Sequence, residues 1–183
     1  DLHYPLRRQR QMCIRDSTII NRVADSNLMT FDLEDLYQIG DRKSIDLSQW
    51  LFKGLILKEK EYRAHLNAHE WSTYQDQFIS LHCSTEAILP AWAFLLLTTY
   101  LQPFARKVVI GSIQDLEVQL FSEEIQLLDV TPFKDKPVII KGCSDKTVPQ
   151  DAYAKLITKL QPVVKSLFFG EACSSVPLYK RKK

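Results

Sequence analysis

The chain has 183 residues, 45% of them hydrophobic and 10% aromatic, with 24 basic and 22 acidic side chains and a formal charge of +2. That apolar content excludes a disordered chain, and no apolar run reaches the ~18 residues needed to span a bilayer. A charge so near zero gives no general attraction to polyanions, so neither nucleic acid nor membrane is an expected partner.

Asp1 to Ser17 reads DLHYPLRRQRQMCIRDS, which resembles the in-frame translation of a transposon-type sequencing adaptor. A signal peptide is excluded because no apolar h-region follows the arginines. Residues 1–17 are therefore expected to be an adaptor-derived artefact and are set aside from fold reasoning. They carry four arginines and two aspartates, so the rest holds 20 basic and 20 acidic residues and no net charge. Residues 18–183 are enough for a single domain with its own core.

Thr18 to Ala24 reads as a short helical lead-in. Leu28 to Leu33 suits a strand with Met29, Phe31 and Leu33 on one face. Asp41-Arg42-Lys43 is a polar turn, and Ser44 to Leu47 a second short strand. Ser48 is placed to cap a long helix from Gln49 to about His69, with Leu51, Leu55, Tyr62 and Leu66 as its apolar stripe.

From Phe78 the pattern is a duplicated strand–helix–strand unit. The first copy runs Phe78–Cys83, Pro90, Leu101-Gln102-Pro103 and Lys107–Gly111. The second runs Pro137–Cys143, Pro149, Leu160-Gln161-Pro162 and Ser166–Gly170. Helices are expected over Ile88–Gln102, Ile113–Leu128 and Gln150–Gln161, the first and last stopped by Pro103 and Pro162. Alternating strands and helices predict an α/β domain with a mainly parallel sheet, the duplicated βαβ unit joined by an N-terminal strand and a long helix.

Outside 1–17 there are three cysteines, Cys83, Cys143 and Cys173. An odd number without a signal peptide argues against a secreted disulfide framework and for a reducing cytoplasm. Cys83 and Cys143 end equivalent strands and Cys173 lies just past the last strand, each followed by a serine. In one parallel sheet all strands end on the same edge, where ligands bind, so the three thiols are expected to share a site. Such a site suits zinc, an iron–sulfur cluster or sulfur handling, with His82 or Asp145 near enough in sequence to complete the ligands. No CxxC is present, and cysteine is often a plain core residue. The alternatives are a non-catalytic interaction module with structural cysteines, and a small-molecule-binding α/β enzyme on the same edge with His82 as its acid/base group.

Other signals favour structure. His65 and His69 share a helix face, but Leu66 breaks the H-E-x-x-H pattern. No phosphate-cradling glycine loop or G-x-S-x-G elbow occurs. The Glu34-Asp35 and Glu123-Glu124 pairs and the Lys180–Lys183 tail read as solvated faces.

Four stretches together carry a resemblance: Ile19–Ala24, Trp50–Lys60, Lys141–Ser144 and Val176–Lys183. On these the chain resembles the bacterial family catalogued as domain of unknown function 2480, over residues 18–183. The resemblance implies no established activity and no catalytic residue to carry over. It implies an accessory role beside iron–sulfur assembly proteins, because similar genes lie near sulfur-mobilisation genes.

Overall fold

The computed structural model describes residues 27–142, 145–171 and 174–182. The expected adaptor segment and the Thr18–Ala24 lead-in lie outside the described residues. The strands are β1 Met29–Phe31, β2 Arg42–Asp46, β3 Phe78–His82, β4 Lys107–Ile110, β5 Pro137–Ile140, β6 Ser166–Glu171 and β7 Ser174–Lys180. The helices are α1 Glu59–Ala68, α2 Trp92–Leu101, α3 Ile113–Leu127 and α4 Gln150–Leu160.

The fold is α/β, and every strand pair is parallel except β6 with β7. The strands divide into two sheets, where the sequence pattern suggested one. One sheet has the order β2-β3-β4 and the other β1-β5-β6-β7. The division arises because β1 passes over β2 and pairs with β5, Met29 opposite Val138. α3 links the sheets and packs on both. Its Leu116 and Leu120 meet Phe78 and Val109 of the three-stranded sheet. Its Phe121 and Ile125 enter the core formed by Phe31, Val138, Ile140, Leu156 and Leu167. A third cluster, with Ile45, Leu47, Tyr62, Leu66, Leu81 and Leu97, lies under α1 and α2.

The duplication reaches further back than the strand–helix–strand unit. Asp76 and Asp135, Pro90 and Pro149, and Leu101 and Leu160 are each 59 residues apart. Asp76 and Asp135 both turn left-handed, at φ 58° and 57°. Asp76 N donates to Phe104 O and Asp135 N to Val163 O, both at 2.9 Å. The same spacing pairs Tyr62 of α1 with Phe121 of α3 and Leu66 with Ile125, all buried. Each half also begins alike. Asp46 at the end of β2 and Asp32 after β1 each accept from the amide two residues on, at 2.9 and 3.0 Å, opening a 3-10 turn.

This spacing corrects one sequence inference. Cys83 corresponds to Gly142, and Cys143 to Ser84, so the two Cys-Ser steps are one residue out of register. Two further differences concern elements. The helix expected from Gln49 is instead a 3-10 turn over Leu47–Trp50, a tight reversal, and then α1. Lys53 and Gly54 both take positive φ, 51° and 71°, in a turn closed by Leu55 N to Phe52 O. Two left-handed residues in succession break a helix and match a type I′ turn. At the other end, the expected basic tail begins as β7, and Arg181 pairs with Asp135.

Candidate functional site

Successive side chains of a strand point to opposite faces. On β2 and β3, Ile45, Ile79 and Leu81 enter the core under α1 and α2. Ser44, Ser80 and His82 therefore share the face on which α3 packs, with Phe78 as its anchor. They form a hydrogen-bonded chain. The Ser80 hydroxyl, fully buried, donates to Ser44 Oγ at 2.9 Å. Ser44 Oγ lies 3.0 Å from His82 Nδ1. A cleft of about 360 Å³ opens at this point, lined by Ser44, His82, Gly111, Ser112, Ile113 and Gln114. It lies at the carboxyl edge of parallel strands, beside the first turn of α3.

That turn is closed by its own acid. Ser112 Oγ accepts from Asp115 N, while the Asp115 carboxylate accepts from Ser112 N and Ser112 Oγ, both at 2.7 Å. These Ser112 bonds hold the Asp115 carboxyl below the ordinary carboxylate range. Gly111 makes the approach possible. At φ 146° it is left-handed, and a Cβ there would sit 2.7 Å from Asp115 Oδ2.

Asp46 organises the neighbouring loop. Its Oδ1 accepts from Ser48 N at 2.9 Å and Ser84 N at 3.1 Å, and Ser48 Oγ meets Ser84 Oγ at 3.1 Å. Burial opposes ionisation, but the bonds from Ser84 and Ser48 outweigh it and hold the carboxyl far below its usual range. Cys83 lies between these groups in sequence but not in direction. Its thiol is half-buried against the core of α1 and α2 and contacts Thr85 Oγ1 at 3.3 Å.

The four-stranded sheet has a carboxyl edge of different chemistry. Asp32 pairs with Lys141 at 2.7 Å. Burial raises the Asp32 pKa, yet the Lys141 bond, the Glu34 amide and the Lys141 charge leave it lowered, and Lys141 is raised in return. Glu34 accepts from the backbone amides of Asp145 and Lys146. Cys143 and Cys173 lie outside the described residues. They follow β5 and β6, adjacent parallel strands that end on one edge. Cys83 follows β3, in the other sheet, so the shared-edge argument no longer joins it to them. Among the described residues, no three His, Cys, Asp or Glu side chains are grouped to hold a metal.

The weaker signals resolve into structure. His65 lies on α1, whereas His69 caps it and stacks on Tyr74, 5.7 Å between centroids. Glu123 pairs with Lys107, and Glu124 accepts from Gln38. Ser44, Ser80 and Asp46 went unnoticed as site residues. The one available signal was Ser80 itself, a polar residue at the centre of the apolar run Phe78-Ile79-Ser80-Leu81.

The family model described as "Protein of unknown function (DUF2480)" matches residues 17–181. The chain belongs to that family. For this DUF2480 chain the matched span takes in both sheets and the four helices among the described residues. No curated protein and no solved structure matches it. No helix among the described residues is long and apolar enough to cross a membrane.

Proposed function

We propose that the protein binds a small molecule at the carboxyl edge of β2, β3 and β4, with His82 as the proton-transfer group. The observation that carries this is the cleft itself, with an imidazole on its wall at the edge where parallel sheets bind ligands. Imidazole is the side chain best suited to move a proton near neutral pH. The test is a nuclear magnetic resonance titration with a library of carboxylic acids, esters and amides. Binding should move the His82 ring signals and the Gly111–Gln114 amides together. If no library member moves them, the reading fails.

A second reading rests on β5 and β6, adjacent parallel strands after which Cys143 and Cys173 follow in sequence. It keeps the cysteine site, as an accessory to iron–sulfur assembly that holds zinc or a cluster or handles sulfur. This reading takes Cys143 and Cys173 as the ligands and leaves out Cys83, which follows β3 of the other sheet. Protein prepared without oxygen should then lose bound zinc or iron in Cys143→Ser and Cys173→Ser and keep it in Cys83→Ser. Metal-free wild type, or equal loss in all three, overturns it.

A further inference from the structure

We infer that Ser44 is a nucleophile, and that the cleft acts on neutral carboxylic esters or thioesters; this rests on the His82 cleft proposed above. Nucleophilic serine needs an adjacent base and a fixed orientation. Ser44 has both. His82 Nδ1 stands 3.0 Å from its Oγ. The buried Ser80 hydroxyl donates to the same oxygen at 2.9 Å, which leaves the Ser44 proton to point at the imidazole and favours the tautomer protonated on Nε2. Ser44 itself is exposed on an edge strand, so a substrate can reach it.

The first turn of α3 supplies the other half of the chemistry. Amides in the first turn of a helix have no intrahelical acceptor. Ser112 N and Asp115 N are satisfied by the capping box. Ile113 and Gln114 line the same cleft as Ser44 and His82, and their amides, which have no intrahelical acceptor, are the donors we assign to charge that develops there. The Asp115 carboxylate selects the substrate. It already sits on the Ser112 amide, so a standing anion such as phosphate meets a negative charge at this helix end. An ester is neutral on arrival, so that carboxylate does not oppose its binding.

In the reaction, Ser44 Oγ bonds to the acyl carbon as its proton passes to His82 Nδ1. The intermediate collapses with release of the alcohol or thiol, which takes that proton. Water then attacks the acyl-serine, giving its proton to His82, and the acid leaves as Ser44 Oγ is reprotonated. Atoms and charge balance with water as the only co-reactant.

The full chain is treated with a fluorophosphonate probe and digested, and the adduct is located by mass spectrometry; p-nitrophenyl acetate hydrolysis is followed in parallel. One adduct on Ser44 is expected. Ser44→Ala should abolish it, and His82→Gln should slow labelling about 10²-fold or more. Ile113→Pro removes one oxyanion donor at a position where proline suits a helix start, because Ser112 is already extended at φ −73°, ψ 171°. It should slow hydrolysis about 10²-fold without unfolding the chain. No adduct, an adduct elsewhere, or unchanged hydrolysis in Ser44→Ala overturns the inference. The titration above separates the two failures: ligands that move the His82 signals while Ser44 stays unlabelled sink the nucleophile and keep the binding site.

Discussion

Asp46 is the residue whose charge the local structure uses most directly. It closes the 3-10 turn at Ser48 and ties Ser84, the first residue beyond Cys83, to the end of β2. Its carboxyl titrates below its ordinary value of 3.8. A depressed folded-state pKa contributes stability that is fully present above the unfolded value and is lost as pH falls toward the folded one. Asp46→Asn keeps an acceptor at the cap but loses the charge, and should cost about 1 kcal/mol at pH 7, the difference between charge-assisted and neutral hydrogen bonds. Urea melts should show that difference shrinking below pH 4, as the wild type loses the same charge. A gap that holds constant down to pH 2 would mean that the carboxylate charge contributes nothing. Gly111 makes a second residue-level case. Gly111→Ala combines a left-handed φ with a Cβ 2.7 Å from Asp115 Oδ2, and thermal unfolding should show a loss of about 2 kcal/mol. His82 was legible as a candidate because it ends a strand beside a cysteine. Ser44 was not, because only the pairing of β2 with β3 puts Ser44 opposite Ser80. The one-residue slip between the Cys-Ser steps was itself legible. The Cys-Ser letters match at a shift of 60, whereas the prolines, the Leu-Gln-Pro steps and the turn hydrogen bonds all fix 59.

At the level of elements, the join between β2 and α3 rests on Arg42 and Glu117, 2.7 Å apart with side chains only 12% and 13% exposed. The guanidinium also lies 4.2 Å from the Tyr37 ring centroid and 4.9 Å from that of Phe78. Removing one partner of a shielded pair leaves a charge short of solvent, whereas replacing both with apolar groups removes the problem. Glu117→Ala should cost roughly 2 kcal/mol, and the double variant Arg42→Met with Glu117→Leu less than about 1 kcal/mol. Equilibrium urea unfolding of the three proteins checks the order, and a double variant weaker than the single would contradict it. Such long-range pairs cannot be read from sequence, but most of the elements could. α3 begins at Ile113 and α4 at Gln150 where the patterning put them. The first half of the expected long helix failed because Leu51 and Leu55 are spaced like a helix, yet lie on either side of the Lys53-Gly54 reversal. Gly54 was the available signal. β7 was missed because Pro177 argues against a strand; it is tolerated because β7 is the edge of its sheet.

For the whole molecule, the strand–helix alternation reads the same for one sheet or two, so the division had to come from the pairing of β1 with β5. That division raises the question of whether the halves unfold together. α3 argues that they do. Its Leu116 and Leu120 belong to the three-stranded side and its Phe121 and Ile125 to the other, and neither set can be exposed without releasing the helix. The three tryptophans offer a one-sided reporter, since Trp50, Trp71 and Trp92 all pack around the core of α1 and α2. Ile125 lies in the opposite core and is 3% exposed. Ile125→Ala should destabilise by about 2–4 kcal/mol through the cavity it leaves. If α3 couples the halves, tryptophan fluorescence and far-ultraviolet circular dichroism will shift to the same lower midpoint, although no tryptophan is in the mutated core. If the fluorescence midpoint stays at the wild-type value while the dichroism splits into two steps, the halves are independent. Then α3 is a linker that docks on each side without transmitting stability. Coupling also bears on the cleft at Ser44 and His82, whose third wall is the start of α3. A helix anchored from both cores holds Ile113 and Gln114 in place against the sheet edge, so Ile125→Ala should also raise the ligand concentration needed to shift the His82 signals.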